Sequence, residues 1–199
     1  MADNIANLFP IPICGYKLKS VENNVNKIIE NIKSYENYNA GETGSFSENQ
    51  NILESEFYKE IKKEILECVY DYKSYLKHPV QDIKIVSSWS NTLSKEQYIQ
   101  PHSHSNSYIC GVIHLSEGGD LLFRKPDIVD LFNIVSEYEQ HDDLLFRIPA
   151  IPGQLVLFPS KTTHSVIPHN LETERYSLAF NTWPMKYGVK TGYVNLHNA

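Results

Sequence analysis

The hydrophobic pattern of the first 80 residues predicts two helices behind a short strand. Apolar residues recur at helical spacing over residues 21–32, with Ser20 placed to cap this helix. A second apolar stripe runs over residues 57–76, and Pro79 ends it because proline cannot continue the backbone ladder. The apolar, proline-punctuated segment at residues 8–13 predicts a short edge strand.

After Pro79 the apolar pattern changes to a period of two and to short apolar runs. The predicted strands cover residues 83–89, 107–115, 120–123, 144–148, 154–158, 165–167 and 175–183. Many short strands with Gly and Pro between them favour a β-sandwich, jelly roll or barrel, and the two helices would cover one face. The polar stretch 37–50 predicts a loop, and the charged stretch 127–143 predicts an excursion between strands.

The length of 199 residues predicts a single domain, spanning residues 1–199. Within it we expect an N-terminal strand and helices (1–80), a strand-rich core (81–185) and a C-terminal tail (186–199).

Composition excludes several classes of protein. Hydrophobic residues at 41% exclude wholesale disorder, and the net charge of −6 excludes general nucleic-acid binding. No apolar run is long enough to span a bilayer, and the first residues lack the pattern of a secretory signal. Cys14, Cys68 and Cys110 have no paired spacing and suit reduced thiols. We therefore expect a cytoplasmic protein that does not engage a membrane.

The first candidate for chemistry is the pair His102 and His104, just before the predicted strand 107–115. Residues i and i+2 of an extended chain point to one face, about 6.6 Å apart, so both imidazoles could bind one metal ion. Two exposed loop histidines would show the same pattern, so the pair alone does not distinguish a metal site from two solvent-exposed side chains.

Alternation along this strand divides its residues between two faces. The face shared with the histidine pair carries Asn106, Tyr108, Cys110, Val112 and His114. The opposite face carries Ile109, Ile113 and Leu115 and would pack against the helices.

Two further candidates lie near the C-terminus. His164 follows the apolar strand 154–158 in a turn, where a histidine is more often structural. Arg175 and Ser177 share one face of the last strand, in a chain with three arginines and fifteen lysines. An inward guanidinium needs an anion, so this pair could bind a small carboxylate or one of the 24 acidic residues.

In order along the chain, these motifs resemble those of the iron(II)- and 2-oxoglutarate-dependent oxygenases, which carry H-x-D/E, a distal His and R-x-S on a double-stranded β-helix core. The resemblance covers residues 83–183. It consists of W-x-N (89–91), H-x-H-x-x-S (102–107), G-V-x-x-L (111–115), G-x-L-x-F (119–123), G-x-L-x-L-F-P-S (153–160), H-x-V-x-P (164–168) and R-x-S-x-x-F-N (175–181). The prolyl 4-hydroxylases are similar at a greater distance.

The resemblance implies a jelly-roll, cupin-like core with the two N-terminal helices packed on one face. It implies that His102 and His164 are iron ligands, and that Arg175 and Ser177 hold the distal carboxylate of 2-oxoglutarate. Asn91 and Asn181 match family asparagines that could contact the cosubstrate or cap a sheet edge; their positions do not decide which.

The main departure from the family pattern is His104, which stands where most members have an acidic ligand. Three-histidine iron sites exist among cupin-type dioxygenases, so we expect His104 to be the third ligand, with Asp120 as the alternative.

The resemblance therefore implies an Fe(II)- and 2-oxoglutarate-dependent dioxygenase that uses O2. We expect it to hydroxylate a peptide, protein or small molecule and to release succinate and CO2. Two alternatives remain: a three-histidine iron dioxygenase without 2-oxoglutarate, or a non-catalytic cupin-like binding module. Exposed edge strands would permit a homodimer.

Overall fold

The computed structural model describes residues 10–125, 145–189 and 192–195. In this part of the chain the helices are α1 (Lys19–Glu22), α2 (Val25–Lys33) and α3 (Lys59–Leu76). The strands are β1 (Cys14–Lys17), β2 (Asn37–Asn39), β3 (Ser45–Ser47), β4 (Val80–Leu93), β5 (Ile99–His102), β6 (Ile109–His114), β7 (Leu121–Arg124), β8 (Leu145–Ile148), β9 (Gln154–Pro159), β10 (His164–Val166), β11 (Arg175–Val189) and β12 (Gly192–Asn195).

The strands form two antiparallel sheets that face each other. The larger sheet has the order β1-β9-β6-β11-β4-β3-β2, with β12 paired to β11, and the smaller sheet has the order β5-β10-β7-β8. Val112 and Phe158 of the larger sheet pack with Phe123 and Val166 of the smaller one in a core between the sheets. This architecture confirms the predicted jelly roll.

The helices cover the outer face of the larger sheet. The apolar stripes of α2 and α3 pack on the outward side chains of the strands in one buried cluster. Ile109 and Ile113 belong to this cluster, whereas Cys110 and Val112 point between the sheets. The predicted division of this strand into a helix-facing and a site-facing side is therefore confirmed. Tyr108 departs from it, because it packs on the helix side.

The predicted capping role of Ser20 is wrong. Helix α1 begins at Lys19, and the Glu64 carboxylate of α3 accepts hydrogen bonds from the backbone N–H groups of Lys19 and Ser20, at 2.9 and 3.0 Å. The Ser20 hydroxyl donates to the same carboxylate at 2.5 Å. The carboxylate of Glu64 on another helix thus accepts hydrogen bonds from two of the free N–H groups at this terminus. It takes the place of an N-cap side chain from the helix itself.

Five predicted strands lie within two residues of the observed bounds, and other elements differ. The edge strand predicted over 8–13 forms instead as β1, over residues 14–17. The predicted loop 37–50 contains the hairpin β2–β3, which joins the larger sheet beside β4. Strand β5 was not predicted, and β4 and β11 extend well beyond their predicted ends. The predicted excursion 127–143 lies outside the described residues.

Candidate active site

The floor of the candidate site is the inner face of three neighbouring strands, β6, β11 and β4. Each set of three residues that lie directly opposite one another, one on each strand, forms a rung perpendicular to the strands. The three rungs are His114–Ser177–Asn91, Val112–Ala179–Trp89 and Cys110–Asn181–Ser87. Cross-strand pairing therefore brings together side chains that are up to 94 residues apart in sequence.

The smaller sheet contributes three histidines above this floor. His102 of β5 and His164 of β10 are direct partners in the antiparallel pair. His104 follows β5, and its backbone N–H donates to the Ser160 carbonyl at 2.8 Å. One ligand nitrogen from each of the three rings lies within 4.8 Å of the other two. This is close enough for one ion to bind all three.

Hydrogen bonds orient two of these rings. The Nδ1 of His102 lies 2.8 Å from the Gln100 carbonyl oxygen, and the Nδ1 of His164 lies 2.9 Å from that of Thr162. A carbonyl oxygen only accepts, so each Nδ1 carries the proton and donates it, which leaves each Nε2 with a free lone pair. A backbone carbonyl that holds the second nitrogen is the usual support of a metal-binding histidine.

Burial keeps two of the histidines neutral. Desolvation, with a smaller effect of the positive form of His102, lowers the pKa of His104 to about 4. Desolvation is also the main cause that lowers the pKa of His164 to about 3. At neutral pH both rings are therefore in the neutral form, in which one ring nitrogen has the free lone pair that binds a metal ion.

We expect the metal-free protein to lose stability as the pH falls from about 6.5 to 5. Burial lowers the pKa of His104, His114 and His164 in the folded state, to about 4, 3 and 3. An unfolded histidine has a pKa of about 6.5, so the unfolded chain binds more protons than the folded protein throughout this window. The difference reaches about three protons at pH 5, and acid therefore favours unfolding. Urea denaturation at a series of pH values measures this proton uptake. A His114→Asn variant should take up about one proton fewer, and a flat profile between pH 7 and 5 would contradict the assignment.

Arg175 lies on the floor of the cavity and is 1% exposed. Its Nη1 donates to Ser177 Oγ at 2.6 Å, its Nη2 lies 3.4 Å from His114 Nδ1, and its Nε has no partner among the described residues. Burial lowers the pKa of Arg175 to about 10, which still leaves it charged at neutral pH. The guanidinium thus has a buried positive charge and at least one free donor.

The alternative partner for Arg175, an internal acidic residue, is not observed in the described part of the chain. No described carboxylate lies within 4.0 Å of the guanidinium. Asp120, whose negative charge acts on Arg175 from a greater distance, accepts hydrogen bonds from Arg147 Nε at 2.6 Å and from the Ala150 N–H at 2.9 Å. Both of its oxygens are engaged there, and it is not part of the histidine cluster.

Ser177 has a hydroxyl proton available for a ligand. Its Oγ accepts from Arg175 and, at 3.4 Å, from Asn91 Nδ2, so both lone pairs are occupied and the O–H remains free to donate. The Oδ1 of Asn91 accepts from Trp89 Nε1 at 3.0 Å. Asn91 therefore connects the Trp89 ring to the Arg175–Ser177 pair.

Asn181 is held by neighbours on its own rung. Its Oδ1 accepts from the Cys110 thiol at 3.0 Å, and its Nδ2 donates to Ser87 Oγ at 3.2 Å. Asn91 and Asn181 both lie on strands that pair on both sides, so the reading of either as a sheet-edge cap is wrong.

One cavity, partly open to solvent, is lined by all seven predicted site residues. These are His102, His104, His164, Arg175, Ser177, Asn91 and Asn181. The sequence did not point to the apolar wall formed by Phe46 and Ile99, or to the contact between His114 and Arg175. Trp89, whose ring lies 6.1 Å from that of His104, was visible only as part of W-x-N.

The fold and this cavity define a jelly-roll protein with a candidate metal site. Residues 87–181 match a family model described as "Putative 2OG-Fe(II) oxygenase". This matched segment contains the motifs that resemble those of the 2-oxoglutarate- and Fe(II)-dependent oxygenases, and such enzymes use O2 together with 2-oxoglutarate.

Solved structures share the fold at low sequence identity. HygX from Streptomyces hygroscopicus with nickel and 2-oxoglutarate bound superposes with a TM-score of 0.65 at 10% identity, over 87% of this chain and 83% of that chain. A Pseudomonas putida prolyl-4-hydroxylase superposes with a TM-score of 0.59 at 15% identity, over 86% and 92%. SnoN, an epimerase from nogalamycin biosynthesis, superposes with a TM-score of 0.64 at 12% identity, over 89% and 80%.

These identities establish likeness of fold. HygX has also been solved with hygromycin B bound. No curated protein matches the chain. Among the described residues, no helix is long and apolar enough to cross a membrane.

Proposed function

We propose that this chain is an Fe(II)- and 2-oxoglutarate-dependent hydroxylase in which His102, His104 and His164 bind the iron. Arg175 and Ser177 bind the distal carboxylate of 2-oxoglutarate. The observation that carries the proposal is the buried guanidinium of Arg175, which faces the cavity without a described carboxylate partner.

Burial of an unpaired charge destabilises the folded state. The effective cost of burying an ion is several kcal/mol, and removing a charge from such a position is often neutral or stabilising. An anionic ligand would offset this cost. Arg175 and the free O–H of Ser177 together provide charge and several donors for one carboxylate, which is the recognition that a guanidinium favours.

The donor set of the histidine cluster fits a divalent transition metal. It provides three imidazole nitrogens, and two of the rings are oriented by backbone carbonyls. Because all three donors are neutral, the site would carry one more positive charge than a site with two histidines and a carboxylate. Bound Fe(II) would supply the activation of O2, with 2-oxoglutarate as the source of two electrons.

The residues of this chain would bind, orient and exclude water. Arg175 and Ser177 would hold one end of the 2-oxoglutarate dianion, so that its 2-oxo acid end faces the histidines on the smaller sheet. The apolar wall of Phe46, Trp89 and Ile99 would keep water from the reacting groups.

The lining also bears on the substrate. Among the described residues that line the cavity, Arg175 is the one with a permanently charged side chain, and the histidines are the other ionisable bases. We therefore propose that the part of the substrate that enters is uncharged, whether it belongs to a small molecule or to a peptide. The net charge of −6 and the free cysteines support a cytoplasmic enzyme that does not act on nucleic acid or membranes.

The test is conversion of 2-oxoglutarate. Purified protein is incubated with Fe(II), O2 and carbon-labelled 2-oxoglutarate, and labelled succinate and CO2 are measured in the presence and absence of metal and oxygen. We expect succinate to form only when Fe(II), O2 and 2-oxoglutarate are all present. Without a substrate to hydroxylate, we expect it to form slowly. Oxygen consumption that needs iron but not 2-oxoglutarate would instead identify a three-histidine dioxygenase. Absence of 2-oxoglutarate binding and of oxygen consumption would identify a binding module.

A further inference from the structure

We propose that His114 is a positioning residue that holds Arg175 through a neutral acceptor and so preserves the positive charge of Arg175 for an anionic ligand. The inference rests on the proposed function, since the ligand in question is 2-oxoglutarate. The sequence motifs assign no role to His114.

The position of His114 follows from strand register. It lies directly opposite Ser177 across β6 and β11, so Arg175 is its diagonal neighbour two residues away on the same face. His114 is fully buried, and its Nδ1 lies 3.4 Å from Arg175 Nη2. A guanidinium can only donate, so Nδ1 must be the unprotonated nitrogen of the ring and Nε2 must carry the proton.

A neutral partner is unusual for a buried arginine, which ordinarily pairs with a carboxylate. A carboxylate in place of His114 would form an internal ion pair and compensate the charge before any ligand arrived. A neutral imidazole fixes the direction of Nη2 and leaves the charge available. Burial and the nearby charge of Arg175 lower the pKa of His114 to about 3, so the ring stays neutral at any physiological pH.

The arrangement has a cost that packing does not explain. The Nε2 of His114 is buried without a described partner, as is the Nε of Arg175. An unsatisfied buried donor costs about 1–3 kcal/mol, so an apolar side chain at this position would be cheaper for the fold. The acceptor that the ring provides for Arg175 accounts for a histidine at this position.

Asparagine and aspartate provide a matched pair for the test. The Oδ1 of either residue can occupy the region of the histidine Nδ1. The two side chains have the same shape but differ in charge and in the atom next to Oδ1, an amide NH2 donor in Asn and a carboxylate oxygen in Asp. A His114→Leu variant removes the acceptor. 2-Oxoglutarate is titrated calorimetrically into the Ni(II)-loaded protein, and Ni(II) affinity and thermal stability are measured for each variant to establish that the site is intact.

We expect His114→Asn to bind 2-oxoglutarate within about threefold of the parent and His114→Leu to bind about tenfold more weakly. His114→Asp should bind about 100-fold more weakly, because its charge competes with the ligand for Arg175. Equal affinity of the Asn and Asp variants, or an Asn variant as weak as Leu, would overturn the inference. If the parent protein does not bind 2-oxoglutarate, the proposed function itself fails.

A measurement on the unaltered protein does not depend on the folding of any variant. Nitrogen NMR of the metal-free protein distinguishes protonated from unprotonated ring nitrogens of histidine. We expect His114 to have a bare Nδ1 and a protonated Nε2. The opposite tautomer, or a doubly protonated ring, would contradict its role as an acceptor.

Discussion

Replacement of Arg175 by alanine is expected to weaken 2-oxoglutarate binding by more than about 100-fold, because it removes a buried charge that forms no ion pair with any carboxylate of the described residues. Metal affinity should not change, since the histidines lie on the other sheet. Arg175→Lys should give an intermediate loss, because an ammonium keeps the charge but not the planar set of donors. Calorimetric titration of the Ni(II)-loaded protein measures both quantities.

Thermal stability separates loss of binding from loss of fold. Arg175→Leu removes a guanidinium with an unpaired Nε from the interior, so the ligand-free variant should melt at the same temperature as the parent or higher. Arg124→Ala is the matched control, because Arg124 is an exposed arginine of β7 and should leave 2-oxoglutarate affinity unchanged. An Arg175→Ala variant that binds like the parent would show that the carboxylate site lies elsewhere.

Replacement of His164 or His104 by alanine is expected to lower Fe(II) or Ni(II) affinity by more than about 100-fold, since each removes one of three donors. The exposed His78 provides the control, and His78→Ala should bind metal like the parent. Metal titration followed by competition with a chelator measures the difference.

His104 is the position at which this chain departs from the pattern of the family that it resembles, and two substitutions test its role. His104→Asp should retain metal within about tenfold of the parent, because it restores two histidines and a carboxylate. Asp120→Asn should leave metal affinity unchanged, since the carboxylate is held by Arg147 and Ala150. If His104→Ala retained metal while Asp120→Asn lost it, the third ligand would be Asp120.

Local sequence pattern predicted the parts of the fold that have strong apolar periodicity. The stripe of Ile61, Ile65 and Val69 predicts α3, and the alternation around Ile109 and Ile113 predicts both the strand and the face that meets the helices. These elements depend on burial of one side, which leaves a clear signal in the sequence.

Elements that form through pairing alone gave no such signal. Strand β5 has mostly exposed residues and contains Pro101, and it becomes a strand because β10 pairs with it. The hairpin β2–β3 is polar except for Tyr38 and Phe46 and forms because the edge of β4 is available. Whether a polar segment pairs depends on the neighbouring strand, which local periodicity does not contain.

The same distinction applies to the candidate site. The motifs identified seven of the residues that line one cavity, because each motif is short and local. The partners of those residues depend on strand register. His114 faces Arg175 because Ser177 lies opposite His114, and Asp120 is unavailable because it faces Arg147 and Ala150. The sequence alone could not separate a ligand-binding arginine from one in an internal ion pair.

A crystal structure of the protein with Ni(II) and 2-oxoglutarate tests the central claim most directly. The account predicts one metal ion bound by nitrogens of His102, His104 and His164, with the distal carboxylate of 2-oxoglutarate on Arg175 and Ser177. A carboxylate side chain as third ligand, or 2-oxoglutarate bound away from Arg175, would contradict it.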